Sequence, residues 1–182
     1  MPLDGSCILA TGAGMHALWV PEPFVDIDDY DTWDKELGED PDIQRHVVAG
    51  NLVPINIGSD GAFAFIVRVG DDREPATLSG REAQYLTVSS QPYLLATQGR
   101  AFLSGIEHID AEPSESRTHP VHLTRGRCSV TIHLIDWEAE PNATGPDGAP
   151  ADHALPDFVV LINPAQFATG HRTKLTTFDP PA

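Results

Sequence analysis

"HVVAGNLVPINIGSDGAFAFIVRVG", residues 46 to 70, decides the fold class. Two runs rich in β-branched and aromatic residues flank Ser59-Asp60-Gly61, a dipeptide-plus-glycine signature of a tight turn. The stretch reads as a hairpin. In its second run, Phe63, Phe65 and Val67 share one face by the strand period of two, and Ala62, Ala64, Ile66 and Arg68 share the other.

The same form recurs downstream. "YLTVSSQPYLLATQGRAFLSGIEHI" places turns at Gln91-Pro92 and Gln98-Gly99, and "HPVHLTRGRCSVTIHLIDW" turns at Arg125-Gly126. "LPDFVVLINP" is a continuous apolar run bounded by prolines, which suits a strand buried on both faces. Helical period is scarce. It is confined to Tyr30–Leu37, with Trp33 and Leu37 four apart, and to a short turn at Ser79–Gln84. Short strands separated by turn signals every 8–12 residues predict an all-β fold. The expected architecture is an antiparallel, jelly-roll-like β-sandwich with one or two short helices, in a single domain over residues 1–182. The tail "HRTKLTTFDPPA" is expected to add one short strand, and the Pro/Gly-rich stretch 139–156 to form a long surface loop.

The chain has 182 residues, 41% of them hydrophobic, enough for a buried core without a metal or disulfide staple. Its net charge of −16 argues against phosphate backbones and anionic membranes as partners. The acidity is local. Residues 26–42, "DIDDYDTWDKELGEDPD", hold nine carboxylates against Lys35, whereas residues 43–100 balance five arginines against five acids. Carboxylates interleaved with rings can imitate a nucleic-acid strand, charge standing for phosphate and rings for bases. Asp26, Asp28, Asp29, Tyr30, Asp31, Trp33, Asp34 and Glu36 are therefore the candidate partner-binding residues, and a basic protein is the expected partner.

Catalytic and metal motifs are missing. No His-x-His pair, H-E-x-x-H or C-x-x-C occurs, and His119 and His122 fall on opposite faces of an extended chain. Calcium loops started at Asp26 or Asp29 put Tyr30 or Trp33 where an oxygen ligand is required. G-x-S-x-G and P-loop patterns are absent. No catalytic residue, metal ligand or cofactor is assigned. In "RCSVTIHLIDWEAEP", residues 127–141, Cys128, Val130, Ile132 and Leu134 point to the core. Ser129, Thr131 and His133 point to a wet face or a neighbouring strand, so His133 and the carboxylates after it read as surface groups. Cys7 and Cys128 read as buried free thiols. The N-terminal stretch lacks the basic region of a signal peptide, and no apolar run is long enough for a membrane helix, so a cytoplasmic location is expected.

From about His46 to Glu138 the strand layout resembles the ComJ-like family, small bacterial inhibitors of the competence-associated DNA-entry nuclease. Three segments carry the resemblance: "NLVPINIGSDGAFAFIVRVG", "YLTVSSQPYLLATQGRAFLSGIE" and "HLTRGRCSVTIHLIDW". It implies a β-sandwich that binds and blocks a nuclease without catalysis of its own. The acidic segment, the proline-rich loop and the C-terminal run go beyond that shorter pattern. The alternative function is a small-molecule or metal-binding sandwich of the cupin kind, assembled from distant histidines.

Overall fold

The computed structural model describes residues 3–180. Among them are ten strands in two facing sheets, and three α-helices. The first sheet holds β1 (Leu3–Thr11), β4 (Gly61–Val69), β10 (Phe158–Pro164) and β9 (Gly126–Ile135) side by side. Beyond β9 lie β5 (Leu86–Ser89) and β6 (Tyr93–Thr97), which share its outer edge. The second sheet has the order β3 (Leu52–Asn56), β2 (Met15–Trp19), β7 (Arg100–Gly105), β8 (Thr118–His122). All pairings are antiparallel except that of β4 with β10. The all-β expectation holds, with two sheets facing one another across a shared core.

The turns behave differently from the hairpin reading. β3 pairs with β2, whereas β4 pairs with β1 and β10 in the other sheet, so Ser59-Asp60-Gly61 joins opposite sheets. The links at Gln98-Gly99 and Arg125-Gly126 cross in the same way, as does the β1–β2 link. Gly99 at φ 129° and Gly126 at φ 144° lie in backbone territory that a Cβ disfavours, which lets the chain turn sharply at these corners. Turn chemistry reports a reversal. It does not report which sheet receives the outgoing strand.

Phe65, Val67, Leu95, Val130, Ile132, Phe158 and Val160 of the first sheet meet Ala17, Leu18, Trp19, Val53, Ile55 and Leu103 of the second, all buried. The face assignment along β4 is correct: Phe65 and Val67 are buried, and Phe63 packs against them. β10 lies between β4 and β9, and Val159, Val160 and Ile162 are buried on alternating faces, as its unbroken apolar run requires.

A second, smaller core covers the outer face of the first sheet. Val159 and Leu161 of β10 pack there with Ala76, Ile135 and Leu155, flanked by Leu78, Tyr85 and Trp137. Helix α3 (Gly80–Gln84), capped by Ser79, sits over this layer. Its Glu82 accepts both arms of Arg68 at 2.6 and 2.8 Å. Arg81 bonds Glu140 twice at 2.6 Å and the His153 carbonyl at 2.6 Å, tying the stretch 139–156 to α3 near both its ends.

This cover corrects the reading of His133. The ring is on the predicted face, but that face is not wet: His133 is buried, and its Nδ1 lies 2.7 Å from Ser89 Oγ on β5. Ser129 beside it is buried as well. Glu140 likewise is an ion-pair partner of Arg81 rather than a solvated strand-end group. Both thiols are free; Cys128 is buried, and Cys7 is half-buried. Burial pushes the Cys7 thiol up to about 11 and raises that of Cys128.

Two further expectations fail. Residues 40–49 form a third helix, α2 (Asp40–Ala49), so His46-Val47-Val48-Ala49 is helical rather than extended. Among its described residues the tail adds no strand, only an isolated bridge from Arg172 to Tyr93. It straps the β6–β3 flank instead, with the Tyr93 hydroxyl donating to the Lys174 and Thr176 carbonyls at 2.9 and 3.1 Å. Thr177 Oγ1 takes the Asn56 N–H at 2.7 Å and donates to the Pro54 carbonyl at 2.8 Å.

Candidate functional site: an acidic helical hairpin

The acidic segment folds into two consecutive helices, α1 (Tyr30–Leu37) and α2. Asp29 starts the first. Its Oδ1 accepts the Thr32 N–H at 2.8 Å, and Thr32 Oγ1 accepts the Asp29 N–H at 3.1 Å, a reciprocal capping box. The bond from Thr32 N–H, then that from its hydroxyl, hold the Asp29 carboxyl below the usual range. Pro41 at the start of α2 has no N–H to leave unpaired, and Gly50 closes the helix at φ 76°.

The hairpin is fastened to the sandwich from beneath. Leu37, Ile43 and Val47 enter the main core. The Trp33 indole N–H donates to the Ile106 carbonyl at 3.1 Å. His46 is buried against Phe24, with ring centroids 4.7 Å apart. Asn51 Nδ2 lies 3.1 Å from His46 Nδ1, and Glu36 Oε2 lies 3.1 Å from His46 Nε2. A neutral ring with its proton on Nε2 satisfies both contacts. Burial lowers the His46 pKa, against the opposing pull of Glu36.

Six of the eight candidate residues are exposed on this one segment: Asp26, Asp28, Asp29, Tyr30, Asp31 and Asp34. The other two turn inward. Trp33 is half-buried and braced by Ile106, and Glu36 holds His46 and Arg45 at 3.1 and 3.3 Å. Tyr30 is 72% exposed and stacks on Trp33 at 6.3 Å with 23° between ring planes. The two rings are thus not equivalent: Trp33 is a brace, and Tyr30 is the ring presented to solvent. Glu39 and Asp40 extend the exposed acidic surface across the α1–α2 joint. Val25 and Val48 are exposed apolar neighbours that the charge-based sequence reading overlooks.

The histidines do not assemble a metal centre. Among the described residues, no three of His, Cys, Asp or Glu come together in a way that holds an ion. A cleft of about 490 Å³ lies between the β1–β4 face and residues 150–157, bordered by Ile8, Ile66, Trp137 and Leu155. The Asp157 carboxylate at its margin is taken by the Ala64 N–H at 2.7 Å and the Trp137 indole N–H at 3.0 Å. No described helix is long and apolar enough to cross a membrane.

By sequence, no known protein family and no curated protein matches the chain. Solved structures do. ComJ from Bacillus subtilis, an inhibitor of the DNA-degrading activity of NucA, superposes with a TM-score of 0.51 at 10% identity, over 90% of this chain and 98% of ComJ. This chain shares the fold of ComJ. The protein of crocagin biosynthetic gene J superposes with a TM-score of 0.59 at 16% identity, over 90% of this chain and 98% of that one. The likeness to ComJ thus extends well beyond the three segments that carry the resemblance in sequence. At such identities it speaks for the fold and leaves function to the site.

Proposed function

We propose that the chain is a binding protein that inhibits a basic nuclease, and that α1 with the first turn of α2 is the surface it presents. One observation carries this reading: Asp31, Asp34 and Asp40 sit on a capped, core-anchored helical hairpin, with Asp29 and Glu39 at its N-caps and Asp26 and Asp28 in the short connection that leads into it. A preformed surface loses little conformational freedom on binding. Nucleases hold DNA in grooves lined with Lys and Arg, and a fixed row of carboxylates competes for those side chains. It also steers the two proteins together, since opposite fields speed encounter. Inhibition follows from occupancy, with no chemistry asked of the inhibitor. The fold likeness to ComJ is consistent with this role.

The test is DNA degradation by purified NucA, and by a panel of DNA-degrading nucleases chosen for basic charge, titrated with this chain. Wild type is expected to suppress cleavage. A variant carrying Asp28→Asn, Asp29→Asn, Asp31→Asn and Asp34→Asn is expected to lose suppression with an unchanged circular dichroism spectrum, because asparagine still caps α1. If that variant inhibits as well as wild type, the hairpin is not the contact surface. If wild type suppresses none of these nucleases, the inhibitor reading itself fails.

A further inference from the structure

The Pro/Gly-rich stretch 139–156 is not a loose excursion. The Ala151 N–H donates to the Ala143 carbonyl at 2.7 Å, and the Gly145 N–H to the Ala149 carbonyl at 2.7 Å. Arg81 holds the His153 carbonyl at 2.6 Å, and the Asp157 carbonyl takes the Ile135 N–H at 2.9 Å. Pro150 and Pro156 restrict φ at two further points. Residues 150–157 thus form a fixed wall beside the first sheet.

The wall stands off the sheet instead of closing on it. The cleft of about 490 Å³ between them falls in the range of small-molecule pockets, roughly 300–1,000 Å³. Its sheet side is apolar, with Ile8 and Ala64 paired across the β1–β4 ladder and Ile66 beside them. Ile8 is 75% exposed, the highest value among the exposed large hydrophobic residues described. Leu155 and Trp137 border the other side. A fold that holds an apolar gap open forgoes the burial that collapse would bring, and gaps of this kind are where ligands sit.

Charge selects the ligand. Asp152 and Asp157 line the cleft, and among the described residues no lysine, arginine or histidine does. The Ala64 N–H and the Trp137 indole N–H, at 2.7 and 3.0 Å, each take one Asp157 oxygen and set that carboxylate in place. Each oxygen retains a lone pair. The Asp152 carboxylate is exposed and has no hydrogen-bond or ion-pair partner among the described residues. Arg81, which holds the wall at His153, is paired with Glu140. Trp137 adds an indole, the aromatic group that attracts cations best. An anion is repelled by both carboxylates, and a neutral apolar molecule leaves Asp152 without a partner.

We propose that this cleft binds a small organic cation, an ammonium group carried on an apolar body. The body lies against Ile8, Ala64 and Ile66. The ammonium group faces Asp152, with the fixed Asp157 carboxylate adding to the field. The cleft shares no residue with the acidic hairpin.

Nuclear magnetic resonance titrations test this with phenethylammonium and hexylammonium as probes. Phenethyl alcohol and hydrocinnamate, of similar shape, serve as the neutral and anionic controls. The Ala64 amide and the Trp137 indole N–H report from within the cleft. Both ammonium ions are expected to shift these two signals saturably, and to bind at least about tenfold more tightly than either control. Asp152→Asn, at an exposed position, is expected to weaken the ammonium ions about tenfold and to leave the alcohol unchanged. The four-asparagine hairpin variant is expected to bind them as wild type does, so this proposal and the inhibitor reading fail separately. Ammonium ions that shift neither signal overturn the proposal. So does an alcohol that binds as tightly as its ammonium counterpart, an affinity that Asp152→Asn leaves unchanged, or shifts confined to α1 and α2.

Discussion

Replacing Arg68 with alanine tests the outer layer that binds α3 to the first sheet. The Glu82 side chain is 2% exposed and that of Arg68 15%. Burial pushes the Glu82 carboxyl upward, but the Arg68 fork and the Ser79 N–H and hydroxyl outweigh it, and the carboxyl lies below its usual range. Removing Arg68 strips away two bonds of 2.6 and 2.8 Å and leaves a buried carboxylate with Ser79 alone. Breaking a buried pair from one side costs about 3–5 kcal/mol. Partial exposure of Arg68 favours the lower end, about 3 kcal/mol, or roughly 6–12 °C in Tm for a chain of this size.

The loss depends on pH, and its sign is fixed. In wild type the folded carboxyl is depressed, so its contribution is complete above the ordinary glutamate range and is lost as pH falls through the folded value. In Arg68→Ala, burial acts with less opposition and the folded pKa rises, so stability is lost as pH rises. The gap between the two proteins is therefore widest at neutral pH and narrows towards pH 5. Urea denaturation at pH 7 and pH 5 measures it. The double change Arg68→Met with Glu82→Leu is expected to recover most of the loss, because no buried charge is left unpaired. A single-variant loss below about 1 kcal/mol, or one that does not vary with pH, refutes the reasoning.

Tyr93→Phe removes two bonds from the hydroxyl to the tail and one that it accepts from Arg172 Nε. It should cost about 1–3 kcal/mol and speed proteolytic cleavage after residue 171. His16, His46, His119, His133 and His171 all have pKa values lowered, burial being the leading cause in each. Their neutral forms are favoured by folding, so this stability is intact above about pH 6.5 and is lost as pH falls through the folded values. Thermal melts from pH 7.5 to 5 should show a falling Tm, and a flat profile would contradict the burial argument.

Much of the scaffold was legible because burial imposes period two on a strand. The faces of β4, the inward row of β9 and the two-sided burial of β10 from Phe158 to Ile162 all followed from alternation or its absence. α1 was legible from Trp33 and Leu37. α2 was missed because Val47-Val48 resembles strand composition, although Pro41 at its start, Gly50 at its end and the spacing of Ile43 and Val47 were present. The corner turns were misread because a glycine in the left-handed region marks a reversal without naming the receiving sheet. His133 was placed on the correct face, but what covers that face is built from Ala76, Tyr85, Ser89 and Leu155, remote from it in sequence. In the acidic segment, composition located the hairpin. It did not separate Tyr30, which faces solvent, from Trp33 and Glu36, which turn inward to brace it.

The central claim is that the acidic hairpin meets a basic nuclease, and association kinetics test it most directly. The association rate of NucA with wild type and with the four-asparagine variant should be compared at low and high salt. The account predicts a rate at least about tenfold lower for the variant at low salt, with the two rates converging as salt screens the field. Equal rates and equal salt dependence would contradict it.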